Sequence, residues 1–505
     1  MPLFTITSRE LPLRPVLGSG ILAVLLLLAP AAQAASGPAH PVPYHGDDAP
    51  DAIVAGTMPE NYLPGLMDLV HVALSHGPTM IVQQIQVAQA EANLLNSDGT
   101  MYPHVGASGS YGVSNESVGQ AGQFGAAGSH STGNSTAESY GIGASMPVFQ
   151  WGAVWNQTRI AKLALLISRK SYAEAYRNFV VGLRDSYLAL VAEKIGLRNA
   201  EFGLKITEDS YALAQSNLKN GMIANGAVEA PKLAAEDARL NFDRLQANYS
   251  HAKRVLAQLA GVPDLADDSI PTDLPKVTYV PATADAVLAA FLRDGAKSTF
   301  QAENYEMAVR QAVLGYRIAL TAPLPKFTAG YNYNATDESS IALASVAPGQ
   351  PATPASIAKV GVVATSYSIN ASWNIFDGFQ TAAGIRSAKA SRRMAERQLQ
   401  TYLEVTLETG QDYRRQVDLS ARAMALAETR RELAASALDQ TVVDYKYGSS
   451  PQSAVDAAKY NLYINEQSLV AARSDFLSHW SAFVSLVGAD PALGLLPLQY
   501  VRAIR

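Results

Sequence analysis

The 505-residue chain contains no cysteine. That excludes disulfides, thiolate metal sites and a lipid anchor carried on a cysteine. Histidine is scarce: the eight residues, His71, His76, His104 and His251 among them, are scattered without paired ligand spacing. Neither a metal site nor any other cofactor is expected. Positive charge is not in excess, since 39 Lys and Arg against 44 Asp and Glu leave a net charge of −5. No basic field invites nucleic acid. No Ser/His/Asp set, phosphate loop or pair of catalytic carboxylates stands at a plausible site, so no enzyme is expected. Beyond the N-terminus there is no apolar run long enough for a spanning helix, and passage through lipid would have to take the form of a barrel.

The one concentrated apolar run, Ile21 to Leu28, follows Arg9 and Arg14 and precedes Ala32-Gln-Ala34. That pattern predicts a secretory signal peptide over residues 1–34, cleaved after Ala34. Residues 35–60, rich in Pro, Ala, Asp and Gly, read as a disordered lead-in.

What the chain does contain, it contains twice. Tyr140-Gly-Ile-Gly-Ala-Ser-Met-Pro-Val-Phe149 returns as Tyr367-Ser-Ile-Asn-Ala-Ser-Trp-Asn-Ile-Phe376, an offset of 227 residues (367 − 140). At the same offset Arg159 and Lys162 become Arg386 and Lys389, Gly221 becomes Gly448, and Gly261 becomes Gly488. An internal duplication follows, with repeats over 61–261 and 284–488, a Pro/Asp-rich linker over 262–283 and a tail over 489–505. The helical pattern of Leu63–Leu95 has a weaker echo at Ala284–Leu320.

Each repeat opens with two alternating segments, about 103–113 and 139–149 in the first and about 325–335 and 364–376 in the second. Val105, Ala107, Gly109, Tyr111 and Val113 alternate with Gly, Ser and His; Tyr140, Ile142, Ala144, Met146 and Val148 do the same. Phe327, Ala329, Tyr331 and Tyr333 form the third set, and Tyr367, Ile369, Ala371, Trp373 and Ile375 the fourth. Period two predicts strands. One face is apolar and aromatic; the other carries Ser, Gly and Asn rather than the Lys and Glu of a soluble sandwich, as a water-filled lumen would. Polar segments, Ser114–Glu138 and Asp337–Thr365, read as long loops joining the strands of each pair.

A long helical hairpin follows each strand pair, over 153–260 and 380–487. Residues 153–219 contain no proline, and a helix of that length would extend about 100 Å. The return arms repeat every seven residues, as Val228, Ala235, Phe242, Tyr249 and Leu256, then Val455, Leu462, Leu469, Phe476 and Phe483. Such heptads predict lengthwise coiled-coil packing. Asp185 and Asp412 share the repeat offset but sit mid-helix, where packing or lining roles are expected rather than acid–base chemistry.

Two copies of strand, loop, strand and helical hairpin behind a signal peptide resemble the TolC-like outer-membrane efflux and export channels, the outer membrane factors. The residues that carry the resemblance are Pro147-Val-Phe149-Gln-Trp-Gly152 and Asn374-Ile-Phe376-Asp-Gly378 where strand turns to helix, Tyr102-Pro103 and Leu324-Pro325 before the odd strands, and the tips at Gly221 and Gly448. The resemblance implies a mainly α fold with a membrane β-barrel part. In a homotrimer, four strands per protomer would close a 12-stranded β-barrel and the helices an α-barrel tunnel. It further implies a passive duct in the outer membrane of a Gram-negative bacterium, in contact with outer-membrane lipid. Its partners would be a periplasmic adaptor (membrane fusion) protein and an inner-membrane pump of RND, ABC or MFS type, serving efflux or type I secretion. The tips that would dock the adaptor are Asn220, Gly221 and Met222, and Tyr447, Gly448 and Ser449.

The acidic rings often found in the family beyond the second tip have no match here, where Ala454 and Ala457 stand. Instead Glu229 and Asp456 each lie eight residues past a tip glycine. Two readings fit them: rings of three carboxylates in a trimer, favouring cations and gating the tip, or helix-start acids that complement the helix dipole. A different class of function, a surface-exposed coiled-coil structural protein or adhesin, would use the helices as a stalk outside the cell.

Overall fold

The computed structural model describes residues 53–54, 58–120, 129–342 and 356–501. The expected signal peptide and most of the expected lead-in lie outside the described residues. The first half of the chain runs β1 (Ile53–Val54), α1 (Pro64–His76), α2 (Pro78–Gly99), β2 (His104–Gln120), β3 (Ser129–Phe149), α3 (Ala153–Lys219) and α4 (Gly226–Ala260). The second half repeats the order: β4 (Val277–Thr278), α5 (Pro281–Asp294), α6 (Phe300–Thr321), β5 (Lys326–Ala342), β6 (Ser356–Ser372), α7 (Gln380–Lys446) and α8 (Gln452–Leu486).

Element lengths carry the duplication further than residue identities do. Helices α3 and α7 have 67 residues each, α4 and α8 have 35, and α2 and α6 have 22. From α2 to α6 the offset is 222 (300 − 78), as it is from β2 to β5 (326 − 104); from α3 to α7 it is 227 (380 − 153). The five extra residues therefore fall within the second strand pair. The 262–283 segment is more than a linker: it contains β4, which pairs in parallel with β1 through Ile53↔Val277 and Val54↔Thr278, and the first residues of α5.

Strands β2, β3, β5 and β6 form one antiparallel sheet in that order, with β2 and β6 at its edges. The segments expected to be long loops are mostly strand. Pairing continues to Gln120↔Ser129 in the first hairpin and Ala342↔Ser356 in the second. The sequence reading went astray because these residues cannot build a core. A β-ladder needs none when its backbone groups pair and its small side chains bond across strands, as Ser114 Oγ and Ser135 Oγ do at 2.6 Å.

Below the sheet, α3 packs against α2 and α6, and further along against α4 and α8; α7 packs against α6 and α8. The C-terminal end of α4 meets the junction of α1 and α2 so closely that a Cβ on Gly261 would lie 2.2 Å from the carbonyl oxygen of His76, the last residue of α1. Helices α2 and α4 thus stand end to end along the flank of α3. The heptad positions Val228, Ala235, Tyr249 and Leu256 are buried, as are Leu469, Phe476 and Phe483, whereas Phe242, Val455 and Leu462 are half-buried. The main core lies around the middle of α3, where Tyr176, Val180, Leu183, Tyr187 and Val191 recur at helical spacing. Leu66 and Val70 of α1, Leu256 of α4, and Phe476, Trp480 and Phe483 of α8 pack into it. The tail is part of this core, since Leu496 and Tyr500 are buried and Tyr500 stacks on Tyr172 at 4.1 Å.

Candidate functional site

The cross-strand register sorts the sheet residues into two chemistries. One face carries Val105, Ala107 and Tyr111, then Tyr140, Ile142 and Ala144, then Tyr331, Tyr333 and Ala329, then Tyr367 and Ile369, row against row. Val105, Tyr111, Tyr140, Ile142, Tyr367 and Ile369 are all exposed. Water would not leave so broad an apolar patch uncovered, whereas lipid would cover it. The opposite face pairs Gly106 with Gly143, Ser108 with Gly141, Gly143 with Asn332 and Asn332 with Ser366. It forms a groove of about 820 Å³ lined by Gly, Ser, Asn and Thr. Glycine keeps that groove open: a Cβ on Gly143 would press within 3.0 Å of Asn332 Oδ1.

The second strand of each repeat passes into its long helix through a tight turn, built in both copies with two consecutive residues in the left-handed region. Trp151 and Gly152 have φ of 53° and 80°; Gly378 and Phe379 have 64° and 71°. Each pair contains one glycine and one aromatic, in opposite order. The aromatic member spends about 1–3 kcal/mol of backbone strain. Packing offsets it: Trp151 lies edge-on to Phe149 at 4.8 Å and donates its indole N–H to the Pro325 carbonyl at 2.8 Å. Trp373 donates likewise to the Pro323 carbonyl at 3.0 Å. The proline segment before β5 is thus clasped by two indoles. At the second junction Asp377 accepts from the Thr381 hydroxyl and, at 2.8 Å, from its backbone N–H. These two bonds hold its carboxyl below the usual range.

At the far end of each hairpin the helix stops on a glycine with positive φ, 71° at Gly221 and 77° at Gly448. The Met222 N–H returns to the Asn217 carbonyl at 2.8 Å and the Gly221 N–H to that of Leu218 at 2.9 Å; Ser449 to Asp444 (2.9 Å) and Gly448 to Tyr445 (3.0 Å) repeat the motif. This is the Schellman arrangement, which satisfies the last carbonyls without further residues. Met222 and Tyr447 stand 71% and 85% exposed on these tips, and Asn220, at the α3 C-cap, is exposed too.

Glu229 and Asp456 follow on the return arms and are not equivalent. Glu229 is exposed in the first turn of α4. Asp456 is half-buried beyond the first turn of α8, and its carboxylate accepts from Gln452 at 3.1 Å. Among the described residues no hydrogen bond or ion pair joins the two. The dipole reading therefore fits Glu229 better than Asp456, because the dipole effect fades within one turn. Asp185 and Asp412 also diverge: burial raises the carboxyl of Asp185, whereas Asp412 is exposed and pairs with Arg415. Among the described residues no group of His, Asp and Glu could hold a metal ion.

Sequence reasoning missed the buried cluster of Arg184, Glu60, Ser481 and Asp490, and the left-handed residue pairs at the junctions. Only the Gly next to an aromatic in each copy hinted at the latter.

Residues 69–262 match the family described as outer membrane efflux protein. No curated protein sequence matches the chain. Several solved structures share its fold. The Campylobacter jejuni CmeC outer membrane channel has 14% identity and a TM-score of 0.61 over 84% of this chain and 85% of that one. The Neisseria gonorrhoeae MtrE outer membrane channel in its open state has 15% identity and a TM-score of 0.58 over 84% and 88%. The outer membrane protein VceC of Vibrio cholerae has 16% identity and a TM-score of 0.56 over 85% and 97%.

Proposed function

We propose, for a chain of the outer membrane efflux protein family with the fold of the TolC-like outer-membrane channels, that it is the outer-membrane duct of a tripartite efflux or type I secretion system. The observation that carries this reading is the sheet: four strands, one apolar face, one small polar face, and unpaired edges at β2 and β6. Open edges are not tolerated in lipid, and four strands are too few to close around a lumen. Three copies would close a 12-stranded barrel of the size that encloses water. The 67-residue helices would then line a tunnel about 100 Å long across the periplasm. Transport through such a duct is passive, and energy would come from an inner-membrane pump.

The exposed tips, Asn220-Gly221-Met222 and Tyr447-Gly448-Ser449, are the surfaces offered to a periplasmic adaptor. Glu229 and Asp456 would contribute six carboxylates per trimer near that end, a cation-favouring constriction. Neither the fold nor the family match supports a surface stalk or adhesin. Planar-bilayer conductance of the purified trimer tests both levels of the reading. Defined cation-selective channels, altered by Glu229→Gln with Asp456→Asn, are expected. Channels indifferent to the double change would remove the gate and keep the duct; a well-folded trimer without channels would remove the duct.

A further inference from the structure

Both long helices carry the same two cations just past the strand–helix junction. Arg159 and Lys162 are the seventh and tenth residues of α3, and Arg386 and Lys389 the seventh and tenth of α7. All four are exposed. Among the described residues no carboxylate lies within ion-pair distance of any of them, although nearby Lys170, Arg310 and Arg392 each hold a glutamate. Unpaired cations at repeat-related positions invite the question of what they face.

On α3 they lie along an open groove shared with α6. At this level α3 is packed on both sides. Thr158 bonds the Ser97 carbonyl of α2, and Gln311 of α6 bonds the Ile160 carbonyl. Arg159 and Lys162 remain exposed between these flanks and border a groove of about 430 Å³ with Leu163 and with Val313, Leu314 and Arg317 of α6. The duplication puts Arg386 and Lys389 on the matching stripe of α7. Among the described residues nothing of this chain covers the four cations, which stay exposed.

Depth and direction identify it. Arg159 lies six residues beyond the start of α3, about 9 Å along the axis, and Lys162 about 14 Å. Helical side chains tilt toward the helix N-terminus, which for α3 and α7 is the end joined to the sheet. Long cationic side chains reach back further still. Trp155, one turn nearer the sheet on the stripe of Arg159, is 66% exposed. Trp marks the membrane–water interface. The sheet face directed to the lumen, by contrast, is Gly, Ser and Asn. On α3 an aromatic followed at once by unpaired cations matches the boundary between hydrocarbon and headgroups; on α7 the position matching Trp155 is Ala382, and only the cations repeat.

We infer that Arg159, Lys162, Arg386 and Lys389, with Arg317 beside them, form a belt that binds the phosphates of anionic glycerophospholipids in the leaflet facing the helices. The inference rests on the outer-membrane reading above. Three subunits would supply twelve such cations from the two long helices (4 × 3), an anchor in a chain with no cysteine to carry a lipid.

The test is native mass spectrometry of the intact trimer released from vesicles of phosphatidylethanolamine with one quarter phosphatidylglycerol. Wild type should retain phosphatidylglycerol over phosphatidylethanolamine. The variant R159Q/K162Q/R386Q/K389Q should lose that preference by about tenfold or more, and the charge-keeping R159K/R386K should keep it. If the fourfold variant does not assemble, R159Q/K162Q serves, with a partial loss expected. Equal retention by wild type and glutamine variants overturns the belt. So does unchanged retention combined with altered ion selectivity, which would put the cations inside the tunnel. Wild-type conductance in the same vesicles tests the duct separately, so either reading can fail alone.

Discussion

Arg184 grips Asp490 in a bidentate pair, Nη1 to Oδ2 at 2.6 Å and Nη2 to Oδ1 at 2.9 Å, across 306 positions of the chain. The same guanidinium donates to Glu60 Oε1 at 2.6 Å and to Ser481 Oγ at 2.9 Å. All four residues are buried. One side chain of α3 thereby ties the approach to α1, helix α8 and the C-terminal segment into a single joint.

Removing only the cation should be costly. Arg184→Met would leave two buried carboxylates without their cation, a loss of about 3–5 kcal/mol. The triple change E60Q/R184M/D490N should recover much of it, since no buried charge is stranded. Thermal unfolding of the purified protein reads both. A triple variant no more stable than the single one would assign the loss to packing rather than charge.

Two glycines with the same backbone conformation should respond differently to alanine. Gly221 has φ 71° and open space around a built Cβ; Gly261 has φ 73° and the His76 carbonyl oxygen 2.2 Å from that Cβ. Gly221→Ala should cost only the left-handed dihedral, about 1–2 kcal/mol. Gly261→Ala must also push α4 away from the end of α1 and should lower the unfolding temperature considerably more. Equal losses would mean that the end-to-end contact contributes nothing.

Asp185 should make stability depend on pH. Its carboxyl is raised mainly by burial, against the opposing pull of Ser478, His479 and Arg184, and one oxygen has no hydrogen-bond partner. A raised carboxyl favours the folded state while protonated, and that contribution is lost as pH rises through its folded value. Asp185→Asn should therefore raise the unfolding temperature at pH 7, and the gain should fade as pH falls through the raised folded value and be gone below the ordinary aspartate value near 4. A gain of constant size across pH 4–7 would exclude this cause.

Because the native chain has no cysteine, edge closure can be probed directly. Within one chain β2 and β6 are separated by two strands, about 14 Å, too far for a disulfide. Single cysteines at Ser108 or Ser110 of β2, each combined with one at Ser366, Ser368 or Asn370 of β6, should include a register that oxidises to covalent trimers. Denaturing electrophoresis reads the product. Failure of every register, in trimers shown to be folded, would rule out edge-to-edge closure.

The long helices were legible because their evidence is repeated and local: no proline over 153–219, heptads ending at Leu256 and Phe483, and a glycine at each of four helix ends. The strand faces were legible for the same reason, period two marking them wherever aromatics alternate with Ser and Gly. Strand ends were not. Beyond Val113 and Ala335 the residues are mostly polar on both faces, and pairing there is set by the neighbouring strand rather than by any pattern along the chain. Arg184 was illegible too, since its partners lie 124 and 306 positions away.

By itself the sequence determined the duplication, the element types, the two-faced sheet and the tips, all properties of spacing within one segment. Tertiary structure decided what depends on segments far apart: the β2-β3-β5-β6 order, the end-to-end contact of α4 with α2, the Arg184 joint, and the separation of Glu229 from Asp456 in environment. The physical reason is that burial and hydrogen-bond partnership are relations between distant residues. Arg159 and Lys162 show the division most plainly. Sequence alone marks them as repeated cations; only the packing of α2 and α6 on either side of α3 leaves them exposed, with no carboxylate among the described residues to neutralise them.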